Sequence, residues 1–236
     1  MKTVLHSAQS RGRARHGWLD SHHTFSFAGY HNTERMHFGV LRVLNDDVVA
    51  PGMGFGRHPH DNMEIISLPL EGDLEHRDSM GNQAVIREGD IQVMSAGTGI
   101  QHSEYNANAD LPVKFLQIWL FPRARNVQPR YDQLSIKDIA QPDTFFQILS
   151  PDPDDQGVWI HQDAWFHLGR FSRQLNLTHS LQREGNGLYV FMIEGDAQVA
   201  GHHLTSRDGL GIEDTRTVDF SLAANTTLLL MEVPMR

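Results

Sequence analysis

LPLEGDLEH, residues 68–76, is a short apolar run broken by Glu71-Gly72-Asp73, and FMIEGDAQV, residues 191–199, is broken the same way by Glu194-Gly195-Asp196. An acidic residue, a glycine free to take positive φ and an aspartate between two alternating segments read as a tight turn between strands. A looser echo follows each copy, REGDIQV at 87–93 and SRDGLGI at 206–212. Two related β units are therefore expected. Around the first copy, MHFGVLRVL (36–44), MEIISLPLEG (63–72), QAVIREGD (83–90) and IQVMSAG (91–97) are apolar or alternating segments separated by turn residues. RDSMGNQA (77–84) reads as a hairpin turning at Gly81-Asn82. Close spacing of this kind indicates an all-β barrel or sandwich. Only SIKDIAQ (135–141) suggests a helix, and a short one. The proline- and arginine-bearing stretch 121–143 reads as a crossover, dividing the chain into 1–130 and 131–236.

A chain of 236 residues can bury a core without help from a metal or a disulfide. It has no cysteine, so any metal must be held by nitrogen and oxygen donors. No apolar run has the length of a signal peptide or a membrane span, and a soluble, cytoplasmic protein is expected. Twenty basic against twenty-nine acidic residues give a formal charge of -9, which disfavours direct nucleic-acid binding. Arg11, Arg13 and Arg15 form the one tight basic cluster and read as a solvated segment.

Fifteen histidines invite a search for ligands. Alternate residues of a strand share a face, so His58 and His60 in RHPHDNMEII (57–66) converge, as do His102 and Glu104 in GTGIQHSEYN (97–106). On facing strands of a barrel, the two pairs place three imidazoles and one carboxylate around a point and leave two positions of an octahedron open. Such a set suits Fe(II), with Mn, Ni, Cu, Co or Zn as alternatives. The adjacent pairs His22-His23 and His202-His203 point to opposite faces and read as surface or hydrogen-bonding residues. His37 and His76 have no partner at ligand spacing and are expected to pack or face solvent. Glu64, four residues after His60, has the parity to approach the same point. Carried along the repeat, His58 and His60 land on Leu181 and Arg183, and nothing near Leu222 and Ala224 replaces His102 and Glu104. Only the first unit is expected to hold a metal in this way.

Gly52, five residues, HPH, three residues and Glu64 resemble the first cupin motif, G-x5-H-x-H-x3-E. GDIQVMSAGTGIQHSE resembles the second, G-x5-P-x-G-x2-H, except that Ser95 replaces the proline and four residues separate Gly97 from His102. These departures, with HGWLDSHHTFSFAGY (16–30), GFGRHPHDNMEI (54–65) and MSAGTGIQHSEYN (94–106), resemble the pirin branch of the cupins. The resemblance implies two jelly-roll-like cupin β-barrels packed face to face, with one divalent metal, Fe(II) by expectation, in the N-terminal barrel only. It implies His58, His60, His102 and Glu104 as ligands, favours Glu104 over Glu64, and leaves Glu64 a supporting or structural role. It further implies a quercetinase-type dioxygenase that opens the heterocycle of a flavonol such as quercetin with O2 and releases CO, with Glu104 as base. The rival reading is a metal-dependent interaction protein with a protein partner. Paired barrels already supply the contact that single cupins gain by dimerising, so a monomer is expected.

Overall fold

The computed structural model describes residues 1–236 and is built almost entirely of strands. In the first half these are β1 (Lys2–His6), β2 (Gly12–Arg15), β3 (Leu19–His23), β4 (Leu41–Val49), β5 (Gly54–His60) and β6 (Glu64–Glu71). They are followed by β7 (Leu74–Asp78), β8 (Gln83–Ile86), β9 (Asp90–Ser95), β10 (Ile100–Asn106), β11 (Val113–Leu120) and β12 (Arg130–Ser135). The second half holds β13 (Phe145–Ser150), β14 (Val158–Trp159), β15 (Trp165–Phe171), β16 (Leu175–Ser180) and β17 (Asn186–Glu194). It ends with β18 (Asp196–Val199), β19 (His202–Thr205), β20 (Gly209–Glu213), β21 (Thr217–Leu222) and β22 (Thr226–Pro234). The helix expected in 135–141 is a single 3-10 turn, Ile136–Asp138. No helix is long and apolar enough to cross a membrane.

Each half pairs a seven-stranded sheet with a four-stranded one. The first has the orders β12-β9-β6-β11-β4-β3-β2 and β5-β10-β7-β8; the second has β1-β20-β17-β22-β15-β13-β14 and β16-β21-β18-β19. The Glu-Gly-Asp repeat sits at the same place in both. Gly72 (φ 73°) turns β6 into β7, and Gly195 (φ 92°) turns β17 into β18. The hairpin expected at Gly81-Asn82 joins β7 to β8, with Gly81 at φ 96°. One end strand crosses over: β1 pairs with β20 of the second sheet, while β12, which begins at Arg130, stays with the first on β9.

Alternation along the strands separates two kinds of core. One face of each large sheet packs against the other in a single 25-residue cluster, with Ile66, Leu68, Val93 and Ile118 meeting Phe166, Leu168, Tyr189 and Phe191. The second barrel is filled with apolar side chains, Val190, Leu210 and Leu230 from the large sheet meeting Phe220 from the small one. In the first barrel the inward residues of β11 read Val113, Phe115, Gln117, Trp119, so the apolar filling is interrupted. Six apolar residues around Phe115 cluster at one end and four around Ile65 and Met94 at the other. Between them Asn45, Asp47, Ser67, Gln92 and Gln117 are all buried. Burying polar groups without partners costs stability, so a polar belt marks a place where something other than packing is served.

The arginine cluster is not a free basic patch. Arg13 makes a two-pronged bond to Asp20 (2.8 and 2.6 Å), Arg15 lies 3.5 Å from the same carboxylate, and Arg11 donates to Asp46 at 3.1 Å. Arg11 departs from the expected solvated role, because its side chain is buried between the halves, with its guanidinium 5.9 Å from the ring of Phe191.

Candidate metal centre

The centre lies on the small sheet that closes the first barrel. His58 and His60 come from β5, and His102 and Glu104 from β10, with His102 opposite His58. A register shift between His102 and Glu104 marks a bulge against β5, a device that re-aims side chains. Gly54 permits the close approach of the two strands: a Cβ there would fall 2.1 Å from the carbonyl oxygen of Glu104. The rings of His58, His60 and His102 stand 4.5 to 4.9 Å apart, centre to centre, and their ligand nitrogens lie within 4.8 Å of one another. Ligands held ~2.1 Å from one ion are roughly 3–4 Å apart, so a small closure brings the three onto one cation.

Protonation favours ligation. His58 Nδ1 is 2.7 Å from the Gly56 carbonyl, which only accepts, so Nδ1 carries the proton and Nε2 offers its lone pair. His60 Nε2 and both nitrogens of His102 are buried without a partner. Burial, reinforced by the neighbouring imidazoles, lowers His60 to about 4 and His102 to about 3, so both rings are neutral, as a metal requires. Buried, unpartnered nitrogens on neutral imidazoles that face one another are the arrangement a divalent ion would satisfy.

Glu104 is 2 % exposed and clamped from the belt: Ser67 Oγ donates to one oxygen at 2.9 Å and Gln117 Nε2 to the other at 2.8 Å. Its oxygen clusters with His102 and with His76 of β7, the residue across the ladder from it. His76 was not expected to be near the site. It is fully buried and has its Nε2 3.2 Å from Asp78. The pattern His-x-Asp on one strand face was the available signal, but only the pairing of β7 with β10 shows where that face points.

Glu64 does not approach this point. The turn at Asp61–Met63, with Asn62 at φ 46°, resets the alternation, and Glu64 begins β6 on the face of Ile66 and Leu68 that packs against the second half. Its Oε2 accepts from Ser95 Oγ at 2.8 Å and from the backbone N–H of His161 at 3.2 Å. Burial pushes it up to about 7 against the pull of those two donors. Through the His161 N–H it ties the two halves together. Around the mouth, Trp119 stands edge-on to His60 at 4.9 Å and Phe27 edge-on to Trp119 at 5.4 Å, while His58 and His60 are half-exposed. Of the flanking apolar residues, Met94 is core, Phe55 packs on Trp18, and Met53 is exposed. Among the histidines expected to bond or face solvent, His23 bonds Asn45, His37 the Gly39 carbonyl, His202 Thr3 and His203 Asp196.

Strand pairing corrects the linear repeat. Leu222 pairs with Ala197 and Phe220 with Val199, as Asn106 does with Leu74 and Glu104 with His76. The counterparts of His58, His60, His102, Glu104 and His76 are thus His179, Leu181, Val218, Phe220 and Val199. The shift arises because residues 181–185 join β16 to β17 where only 61–63 join β5 to β6. Ser67 and Gln117, which clamp Glu104, become Val190 and Leu230. One imidazole survives in an otherwise apolar set.

That survivor, His179, is buried with its ring 4.9 Å from His167, and each has a buried nitrogen without a partner. Burial lowers both to about 4, with Asp155 opposing the shift at His167. Both folded-state values lie below the unfolded value near 6.5, so this pair leaves stability intact above about pH 6.5 and removes it as pH falls toward 4, where the unfolded chain takes up protons first. Passing from pH 7 to pH 5 should cost about 2 kcal/mol per ring. Urea unfolding at the two pH values, compared with a His167→Leu/His179→Leu variant, tests this; identical pH slopes in the two proteins would refute it. The comparison isolates the pair from Glu64 and Asp47, both raised to about 7 by burial, whose effect has the opposite sign.

Two face-to-face barrels, one with a polar belt beneath a histidine cluster and one packed solid, define a two-domain cupin protein. The pirin family model matches residues 5–120, and the model for the quercetinase C-terminal cupin domain matches 147–233. The chain belongs to the pirin family. It is 40% identical over 230 residues, 98% of each chain, to a quercetin 2,3-dioxygenase of Escherichia coli (strain K12). It is 35% identical over 222 residues to a pirin-like protein of Caulobacter vibrioides, covering 94% of this chain and 95% of that one. Among solved structures, the bacterial pirin YhhW of Escherichia coli in complex with nickel(II) superposes with a TM-score of 0.93 at 37% identity over 99% of both chains.

Proposed function

We propose that the protein is a metal-dependent dioxygenase that cleaves the heterocycle of a flavonol with O2, releasing CO and a depside. The observation that carries this reading is the convergence of His58, His60 and His102, with His60 Nε2 and both His102 nitrogens buried and unpartnered, beside the clamped carboxylate of Glu104. The E. coli relative named quercetin 2,3-dioxygenase and the nickel complex of the related pirin support the substrate class and a divalent ion. Fe(II) is the expected ion, and Ni, Cu, Mn, Co and Zn suit the same nitrogen and oxygen donors.

A divalent ion held by these residues would supply Lewis acidity that lowers the pKa of the flavonol 3-hydroxyl. The chain supplies the rest. His58, its tautomer fixed by the Gly56 carbonyl, and His60, braced by Trp119, would hold the ion beside the half-exposed mouth. Glu104 takes the 3-hydroxyl proton, and Ser67 and Gln117 keep its carboxylate in place while it does so. Trp119 and Phe27 offer flat apolar faces at the rim for an aromatic ligand.

The test is anaerobic loading with Fe(II) followed by quercetin and air. Loss of flavonol absorbance with stoichiometric CO is expected. Absence of turnover with each of Fe, Cu, Ni, Mn and Co would overturn the enzyme reading in favour of a metal-tuned interaction protein.

A further inference from the structure

Within the proposed metal centre, on whose reading this inference rests, His102 is anomalous. A ligand histidine ordinarily gives its second nitrogen to a carboxylate or carbonyl, as His58 does to Gly56 and His76 to Asp78. His102 is 2 % exposed, yet neither of its nitrogens has a partner. It is also the one ring common to two sets of converging donors: His58, His60 and His102 toward the mouth, and His76, His102 and Glu104 inside the barrel. The donors of each set lie within 4.8 Å of one another.

The inner set carries the marks of a built site. Asp78 accepts the His76 Nε2–H at 3.2 Å, which leaves Nδ1 with the lone pair, and Nδ1 is buried without a partner. Asp78 is itself fixed by the backbone N–H groups of Met80 and Asn82 (2.9 and 3.0 Å) and by the Asn82 side chain (2.8 Å). The packing of Tyr131 against His76, 4.7 Å between ring centres, holds the imidazole from the side. Glu104, held by Ser67 and Gln117, keeps lone pairs free for an ion, since a carboxylate has about four acceptor positions. Carboxylate behind histidine, and hydrogen bonds behind the ligating carboxylate, are the supports that metal ligands require.

We propose that His76, His102 and Glu104 form a second, inner position for a borderline divalent cation, with His102 shared between it and the outer position. A neutral imidazole has one lone pair, so His102 serves one position at a time, and its tautomer selects which. An ion in the inner position has three fully buried donors and no open side toward the mouth; one in the outer position faces substrate. His76 is then a ligand of the resting or loading form of the centre.

Co(II) is the probe, followed by equilibrium dialysis with metal analysis and by its d–d absorption. The His58→Ala/His60→Ala protein should keep one Co(II) per chain, and adding His76→Gln should weaken that binding at least tenfold. In the otherwise wild-type chain, His76→Gln should leave Co(II) stoichiometry at one and alter the d–d spectrum. Should the triple variant fail to fold, His76→Gln in the otherwise wild-type chain decides, because an unchanged d–d spectrum there would remove His76 from the ligands. No stoichiometric Co(II) in the double variant, or equal binding with and without His76, would overturn the inner position while leaving the outer one standing. A wild-type chain that binds no Co(II) would overturn both.

Discussion

Replacing His58 and His60 together by alanine is expected to take flavonol cleavage down by at least about 10³-fold, the factor that several kcal/mol of Lewis-acid stabilisation represents. The two rings supply every ligand nitrogen of the outer set except that of His102, and both are half-exposed at the mouth. The loss does not depend on the chain being empty of metal. An ion retained by His76, His102 and Glu104 would sit behind fully buried side chains, where a flavonol oxygen has no route to it. Folding should survive, because both rings are half-exposed and contribute to none of the hydrophobic clusters. CO release under saturating Fe(II) and quercetin, with thermal unfolding as control, measures it. Turnover within tenfold of wild type in a folded variant would remove His58 and His60 from the reaction.

What the sequence made legible is local. The Glu-Gly-Asp turns could be read because a hairpin requires positive φ at a fixed offset from an apolar run, and Gly72 and Gly195 meet that requirement in both halves. His58 with His60, and His102 with Glu104, could be read because period two is a property of one strand. The failures all lie across a turn or across strands. Glu64 has the right count from His60, but parity does not pass through the bend at Asn62, and the side chain emerges on the opposite face. His76 looked isolated because its neighbours, Glu104 and His102, arrive by the register of β7 on β10. The passage of β1 to the second sheet has no signature in the strand itself, since its partner β20 lies in the other half of the chain. The asymmetry between halves was legible in outline, yet assigning counterparts required the pairing of β21 with β18, because loop length differs and linear offset drifts.

Glu104→Gln is expected to lower turnover by about 10²- to 10⁴-fold, the range for removing a general base, with the fold kept. The substitution is accommodated because the Ser67 hydroxyl can accept as well as donate: turned about, it takes a hydrogen bond from the introduced amide while Gln117 Nε2 still donates to the amide oxygen. Shape and packing are therefore preserved, and what is lost is the negative charge and the ability to take a proton. His58, His60 and His102 remain to hold an ion at the mouth, so Co(II) stoichiometry should stay at one while CO release collapses. A compensating contrast is available in Ser67→Ala, which leaves the carboxylate and one of its two clamps; a loss of roughly 10- to 100-fold is expected there, the usual effect of removing a hydrogen bond behind a ligand. The order of the two variants separates a base from a spacer. If Glu104 only fills space beside the imidazoles, Glu104→Gln, being isosteric, should be the milder of the pair. If its carboxylate moves the proton, Ser67→Ala should be the milder, because misplacing a base is less damaging than removing it. Turnover of the Glu104→Gln protein within threefold of wild type would end its assignment as base.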